Sequence, residues 1–108
     1  MIKVFISSPY TLGNIQANLN IQIDAANELI DAGFNPLPLN LYCHPIESKY
    51  PRINYVDWIH LTLELVEKCD CVLRIGGKSR GADDEVEKGK ELGKPIFYSV
   101  TDLIAHYK

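Results

Sequence analysis

The sequence predicts an α/β three-layer sandwich around a parallel sheet of four to five strands, order 2-1-3-4(-5). Short β-type segments alternate with helical ones along the 108 residues. Such alternation makes right-handed strand–helix–strand crossovers and a parallel sheet. Order 2-1-3-4 is the simplest solution that places helices on both faces. The length fits one domain over residues 1–108, because two would each have too little interior.

Each element has a local reason. Lys3–Ser7 is apolar and β-branched, and a Ser-Ser-Pro-Tyr-Thr-Leu-Gly turn follows. A helix fits residues 14–32, with Ile15, Leu19, Ile23, Ala26 and Ile30 at i+3/i+4 spacing and Gly33 as its stop. Phe34–Leu39 reads as a strand, and Pro36 and Pro38 confine it to a sheet edge. Residues 40–54, with Pro45 and Pro51, read as irregular. A helix fits 55–68 and a strand 71–75. Residues 76–81 form a loop, 82–92 a helix stopped by Gly93, 95–99 the last strand and 101–107 a short helix.

Composition narrows the class of function. A net charge of -3 with no basic cluster argues against nucleic acid as a partner. No apolar run approaches the roughly 18 residues of a membrane span, so no membrane role is expected. The first strand turns polar too soon for a secretory signal. Three cysteines make no disulfide framework, which points to a reducing cytoplasm. Cys43, Cys69 and Cys71 with His44, His60 and His106 lack metal-ligand spacing, so neither a metal nor a cofactor is expected. Cys69 and Cys71 read as small core residues on one face.

The helix from Ala82 carries the most information. Ala82, Val86, Gly89 and Leu92 share an arc roughly 120° wide, while most of its charged residues fall outside. Glu85 falls inside. A carboxylate within an apolar stripe is costly unless something satisfies or uses it. In parallel sheets, ligands bind at the carboxyl edge where the chain reverses, so the loops after Ser7 and Ile75 meet there. Glu85 then projects into that cleft or reaches water at the rim of the stripe.

Lys78, Ser79, Arg80 and Gly81 precede this helix, where free backbone N–H groups and the positive dipole end attract anions. They make a candidate phosphate cradle, or an ordinary capped turn. Gly77-Lys78-Ser79 lacks the earlier glycine of a nucleotide-triphosphate loop, since Val72 holds that place. Ser7, Ser8, Tyr10, Thr11 and Gly13 offer further hydroxyls and amides at the same edge, or ordinary turn and capping groups. In residues 40–54, Tyr42, His44, Tyr50 and Arg52 either close over a planar ligand or belong to a crossover with exposed aromatics. The helix 55–68 has two stripes, Val56/Ile59/Leu63/Val66 and Trp58/Leu61/Leu65. The second is a candidate subunit interface anchored by Trp58, with cover by the preceding loop as its alternative.

Taken together these residues resemble the nucleoside 2-deoxyribosyltransferase family and its nucleoside 5′-monophosphate N-glycosidase relatives. The resemblance runs through residues 3–11, Cys69-Asp70-Cys71-Val72-Leu73, Gly93-Lys94-Pro95-Ile96 and, most strongly, Ser79-Arg80-Gly81-Ala82-Asp83-Asp84-Glu85. It implies a flavodoxin-like fold and a homodimer or higher homo-oligomer. It also implies a small-molecule nucleotide substrate and a catalytic glutamate at C1′ of the sugar, matching Glu85. Serine at position 79 is similar to members that act on monophosphates, which implies phosphate binding by Ser79, Arg80 and Gly81, with Ser7, Ser8 and Tyr10 as the sugar and phosphate wall. Phe5 stands where tyrosine is common. No aspartate stands near the end of the 55–68 helix, where Thr62 and Glu64 follow Asp57 and His60, so the proton donor is unassigned. The expected reaction is hydrolysis in preference to base transfer. The alternatives are a nucleotide-binding module without turnover and a TIR-like NAD glycohydrolase, whose opening strand is similar to Val4-Phe5-Ile6-Ser7.

Overall fold

The computed structural model describes residues 1–52 and 55–108, Tyr55 by its backbone alone. The elements are β1 (Lys3–Ser7), α1 (Ile15–Asp31), β2 (Asn35–Pro38), α2 (Leu39–Lys49), α3 (Tyr55–Lys68), β3 (Cys71–Arg74), α4 (Arg80–Glu91), β4 (Ile96–Phe97) and α5 (Val100–Tyr107). The four strands form one sheet in the order β2-β1-β3-β4, and every pairing is parallel. The architecture is the parallel α/β sandwich that the alternation predicts, flavodoxin-like as the resemblance implies.

Strand alternation divides the core between the two faces of the sheet. Val4, Ile6 and Leu73 pack with Ala25, Leu29 and Leu103, the side of α1 and α5. Phe5 and Val72 pack with Leu39, Cys43, Val66 and Val86, the side of α2, α3 and α4. β1 and β3 are covered on both faces, which is why they read as near-continuous apolar runs. The proline-bearing β2 sits at the edge, as expected.

Several expectations are corrected. Residues 39–49 are helical rather than irregular, with Pro45 inside the helix. Leu39 and Cys43, one turn apart, are buried against Phe5, and this packing outweighs the backbone bond that Pro45 removes. Of that stretch, Ile53 and Asn54 lie outside the described residues. The buried face of α1 is Leu19, Gln22, Ala25, Ala26 and Leu29, whereas Ile15, Ile23 and Ile30 are exposed. A glutamine at the centre of that face disguises the stripe.

The Trp58/Leu61/Leu65 stripe of α3 is not a free face. It packs against the Phe5 cluster, and the Trp58 indole donates to Glu47 of α2, which covers it. Cys69 and Cys71 are both buried core residues but join opposite clusters, because Cys69 precedes the strand. Leu92 caps α4 and is exposed, so the buried stripe is Ala82, Val86 and Gly89 without it. α4 begins at Arg80 and β4 has two residues, small shifts of boundary. Among the described residues no helix is long and apolar enough to cross a membrane.

The loops after β1 and β3 do meet. Ile75 N–H donates to the carbonyl of Ser7 at 3.0 Å, and Gly76, at φ +82°, lies directly against the Pro9 ring. A side chain at position 76 would start 2.7 Å from Pro9 Cδ.

Candidate functional site

A cavity of about 540 Å³ opens at the carboxyl edge of β1 and β3. That volume is in the usual range for a small-molecule site. Its walls come from four places. The loop after β1 gives Ser8, Tyr10, Thr11 and Leu12, and α2 gives Asn40, Cys43 and Glu47. Arg52, Trp58, Ile59 and Thr62 close another side, and Ser79, Arg80, Gly81, Ala82 and Glu85 form the start of α4.

Glu85 lies one and a half turns into α4 and reaches the cavity, the first of the two placements that its position in the stripe leaves open. Burial pushes its carboxyl up to about 7, against hydrogen bonds from Ser7 and Thr62 and the Arg74 charge, while Asp84 adds to the rise. Desolvation is the largest of these effects. Asp83 pairs with Arg74 at 3.5 Å.

Ser7 is corrected from wall to support. It is fully buried behind Glu85, and its hydroxyl donates to Glu85 Oε1 at 2.6 Å. Being the last residue of β1, it points where strand pleating sends it, toward α4. Ser8 and Tyr10 do line the cavity. Ser8 Oγ accepts from Gln22 Nε2 at 2.9 Å, which leaves its own proton to donate. Gln22 also donates to the Ile6 carbonyl and accepts from Asn40 N–H, while Asn40 holds the carbonyls of Ser8 and Pro9. This buried network sets the loop after β1 against the start of α2. Tyr10 is hydrogen-bonded to His44 Nδ1 at 2.7 Å, joining the same two segments.

Ser79 is the N-cap of α4, accepting from Ala82 N–H at 3.1 Å. Capping and ligand binding are compatible here, because the hydroxyl proton remains to be given. Among the described residues the N–H groups of Arg80 and Gly81, the first two of the helix, have no partner, as helix geometry requires. With the Arg80 side chain they form an anion-attracting corner at the cavity wall. Lys78 is exposed and outside the lining.

Of the four candidates to close over a planar ligand, Arg52 lines the cavity, His44 holds Tyr10, and Tyr42 and Tyr50 are exposed outside it. Thr62 stands in the wall, whereas Asp57, His60 and Glu64 are exposed and do not line it. Phe5, at the common tyrosine position, is buried in the core. The sequence does not mark Glu47, Asn40 and Cys43 as lining residues, because Pro45 argues against the helix that carries them. Cys43 has its thiol pushed up to about 11, by burial first and then by Glu85 and Glu47, so it is not a nucleophile at neutral pH. Among the described residues no group of His, Cys, Asp or Glu is arranged to hold a metal ion. No known family model matches this sequence, and no curated protein sequence matches it.

Proposed function

We propose that this protein breaks the N-glycosidic bond of a nucleoside 5′-monophosphate, a deoxynucleotide in preference to a ribonucleotide, with Glu85 as the carboxylate beneath C1′. The observation that carries the reading is a carboxylate opening into the same cavity as an unpartnered helix start. The first matches a developing positive charge and the second a phosphate. The resemblance at Ser79, Gly81 and Glu85 supports it.

In the reaction, the C1′–N bond breaks with its electron pair leaving on the base, which takes up a proton. The sugar passes through an oxocarbenium-like state that ionised Glu85 stabilises or captures as a glycosyl ester. Water at C1′ completes hydrolysis, and a second base there completes exchange; the monophosphate-type loop favours hydrolysis. Ser7 holds the carboxylate. Ser8 and Tyr10 contact sugar or phosphate, while Ser79, Arg80 and Gly81 take the phosphate. The working form is a cytoplasmic homodimer or larger homo-oligomer, which light scattering checks.

Thr62 favours a second reading. A threonine beside Glu85 supplies no acid for the departing base, which suits a module that binds a nucleotide without turning it over. Incubation with each deoxynucleoside and ribonucleoside monophosphate, followed by chromatography, separates the two. Free base that disappears in Glu85→Ala supports the enzyme. Tight binding without free base supports the module.

A further inference from the structure

We propose that Glu47 reads the base and that the cavity is built for guanine; the inference rests on the nucleotide reading above. Glu47 stands in the last turn of α2 and lines the cavity that Glu85 enters. Its carboxylate is held by two N–H donors, the Trp58 indole on Oε2 at 2.5 Å and the Arg52 backbone on Oε1 at 3.0 Å. The Arg52 guanidinium lies over the Trp58 ring, 5.1 Å from its centroid, and holds that indole in turn. Each carboxylate oxygen has two lone pairs, so one bond apiece leaves each oxygen a second to offer.

Electrostatics sets which end of a nucleotide meets Glu47. The start of α4 and Arg80 offer free N–H donors and a positive charge, whereas at the opposite wall Glu47 offsets the Arg52 charge, so the phosphate takes the start of α4 and the base the Glu47 wall. A fixed carboxylate asks for two adjacent donors. Guanine presents them as its ring N1–H and exocyclic amino group. Adenine and cytosine offer one amino donor beside a ring-nitrogen acceptor, and thymine or uracil one N–H between two carbonyls. In each of these a lone pair faces the second carboxylate oxygen. Once the base covers the half-buried Glu47, a polar group left unpaired or opposed in this way discriminates more strongly than apolar fit.

The test is kcat/KM for the 5′-monophosphates of deoxyguanosine, deoxyadenosine, deoxycytidine, thymidine and deoxyinosine, on the native protein and on Glu47→Gln. The deoxyguanosine compound is expected to lead the other natural bases by about tenfold or more, with deoxyinosine, which lacks the amino group, in between. Glu47→Gln, whose amide is half donor and half acceptor, is expected to cut the guanine-to-adenine ratio by about tenfold. Equal turnover of all five, or an unchanged ratio in Glu47→Gln, overturns the base assignment and leaves the glycosidase reading standing. No turnover of any overturns the glycosidase reading; the dissociation constants of the five then decide the base assignment, and equal values overturn it. Should Glu47→Gln not fold, the native guanine-to-inosine ratio decides alone.

Discussion

Ser7 Oγ donates to Glu85 Oε1 across 2.6 Å, joining the end of the first strand to a helix 78 positions later. The same hydroxyl lies 3.2 Å from the carbonyl of Ala82, yet it has one proton to give. With Glu85 ionised, the proton goes to the carboxylate. With Glu85 protonated, the carboxyl can donate to Ser7, which then turns to Ala82. This small relay stabilises either form of the acid and fixes its position.

Ser7→Ala removes the donor that holds the Glu85 carboxyl down. The acid rises further above about 7. A reaction that needs it ionised then moves to higher pH, by about one to two units for a bond to a charged group. A pH–rate profile of the variant checks this; an unmoved midpoint contradicts it.

Glu85 also gives stability a pH dependence of unusual sign. Its folded pKa of about 7 lies above the ordinary carboxyl value, so the folded state holds a proton that the unfolded state has lost. Stability therefore falls as pH rises from the ordinary carboxyl range to about 7, and is level above. Glu85→Gln should abolish that fall and gain about 1–2 kcal/mol at pH 8. This is less than the full shift implies, because solvent reaches the site. Thermal unfolding at pH 5 and pH 8 measures it.

Gly76→Ala should cost about 2 kcal/mol or more, measured by denaturant unfolding. The residue sits at φ +82°, and a methyl group there meets Pro9 Cδ at 2.7 Å. Because Pro9 leads from Ser8 to Tyr10, nucleotide affinity should fall as well.

Gln22→Leu strips donors and acceptor from a residue 1% exposed and leaves Asn40 N–H without its partner. The expected cost is about 2 kcal/mol. Hydrogen exchange at the Asn40 amide should accelerate while the β1 amides stay protected. Equal acceleration throughout would mean that the network does not specifically hold the start of α2.

The sheet was legible because β1 and β3 carry apolar residues on both faces and β2 carries prolines. Glu85 was legible because it breaks the α4 stripe. Two features misled for physical reasons. Pro45 normally ends a helix, but burial of Leu39 and Cys43 retains this one, and with the helix Glu47 stayed hidden. Gln22 reads as a surface residue and is buried only because its amide is fully hydrogen-bonded. Ser7 and Ser8 are neighbours of one residue type, and the sequence alone does not say which faces the cavity and which backs the carboxylate.

The most direct measurement is the rate of free-base release from deoxynucleoside 5′-monophosphates between pH 5 and pH 9, for the native protein and for Glu85→Gln. The account predicts a native rate that rises through a midpoint near 7 and a variant rate lowered by about a hundredfold or more. Base release that persists undiminished in Glu85→Gln would contradict it.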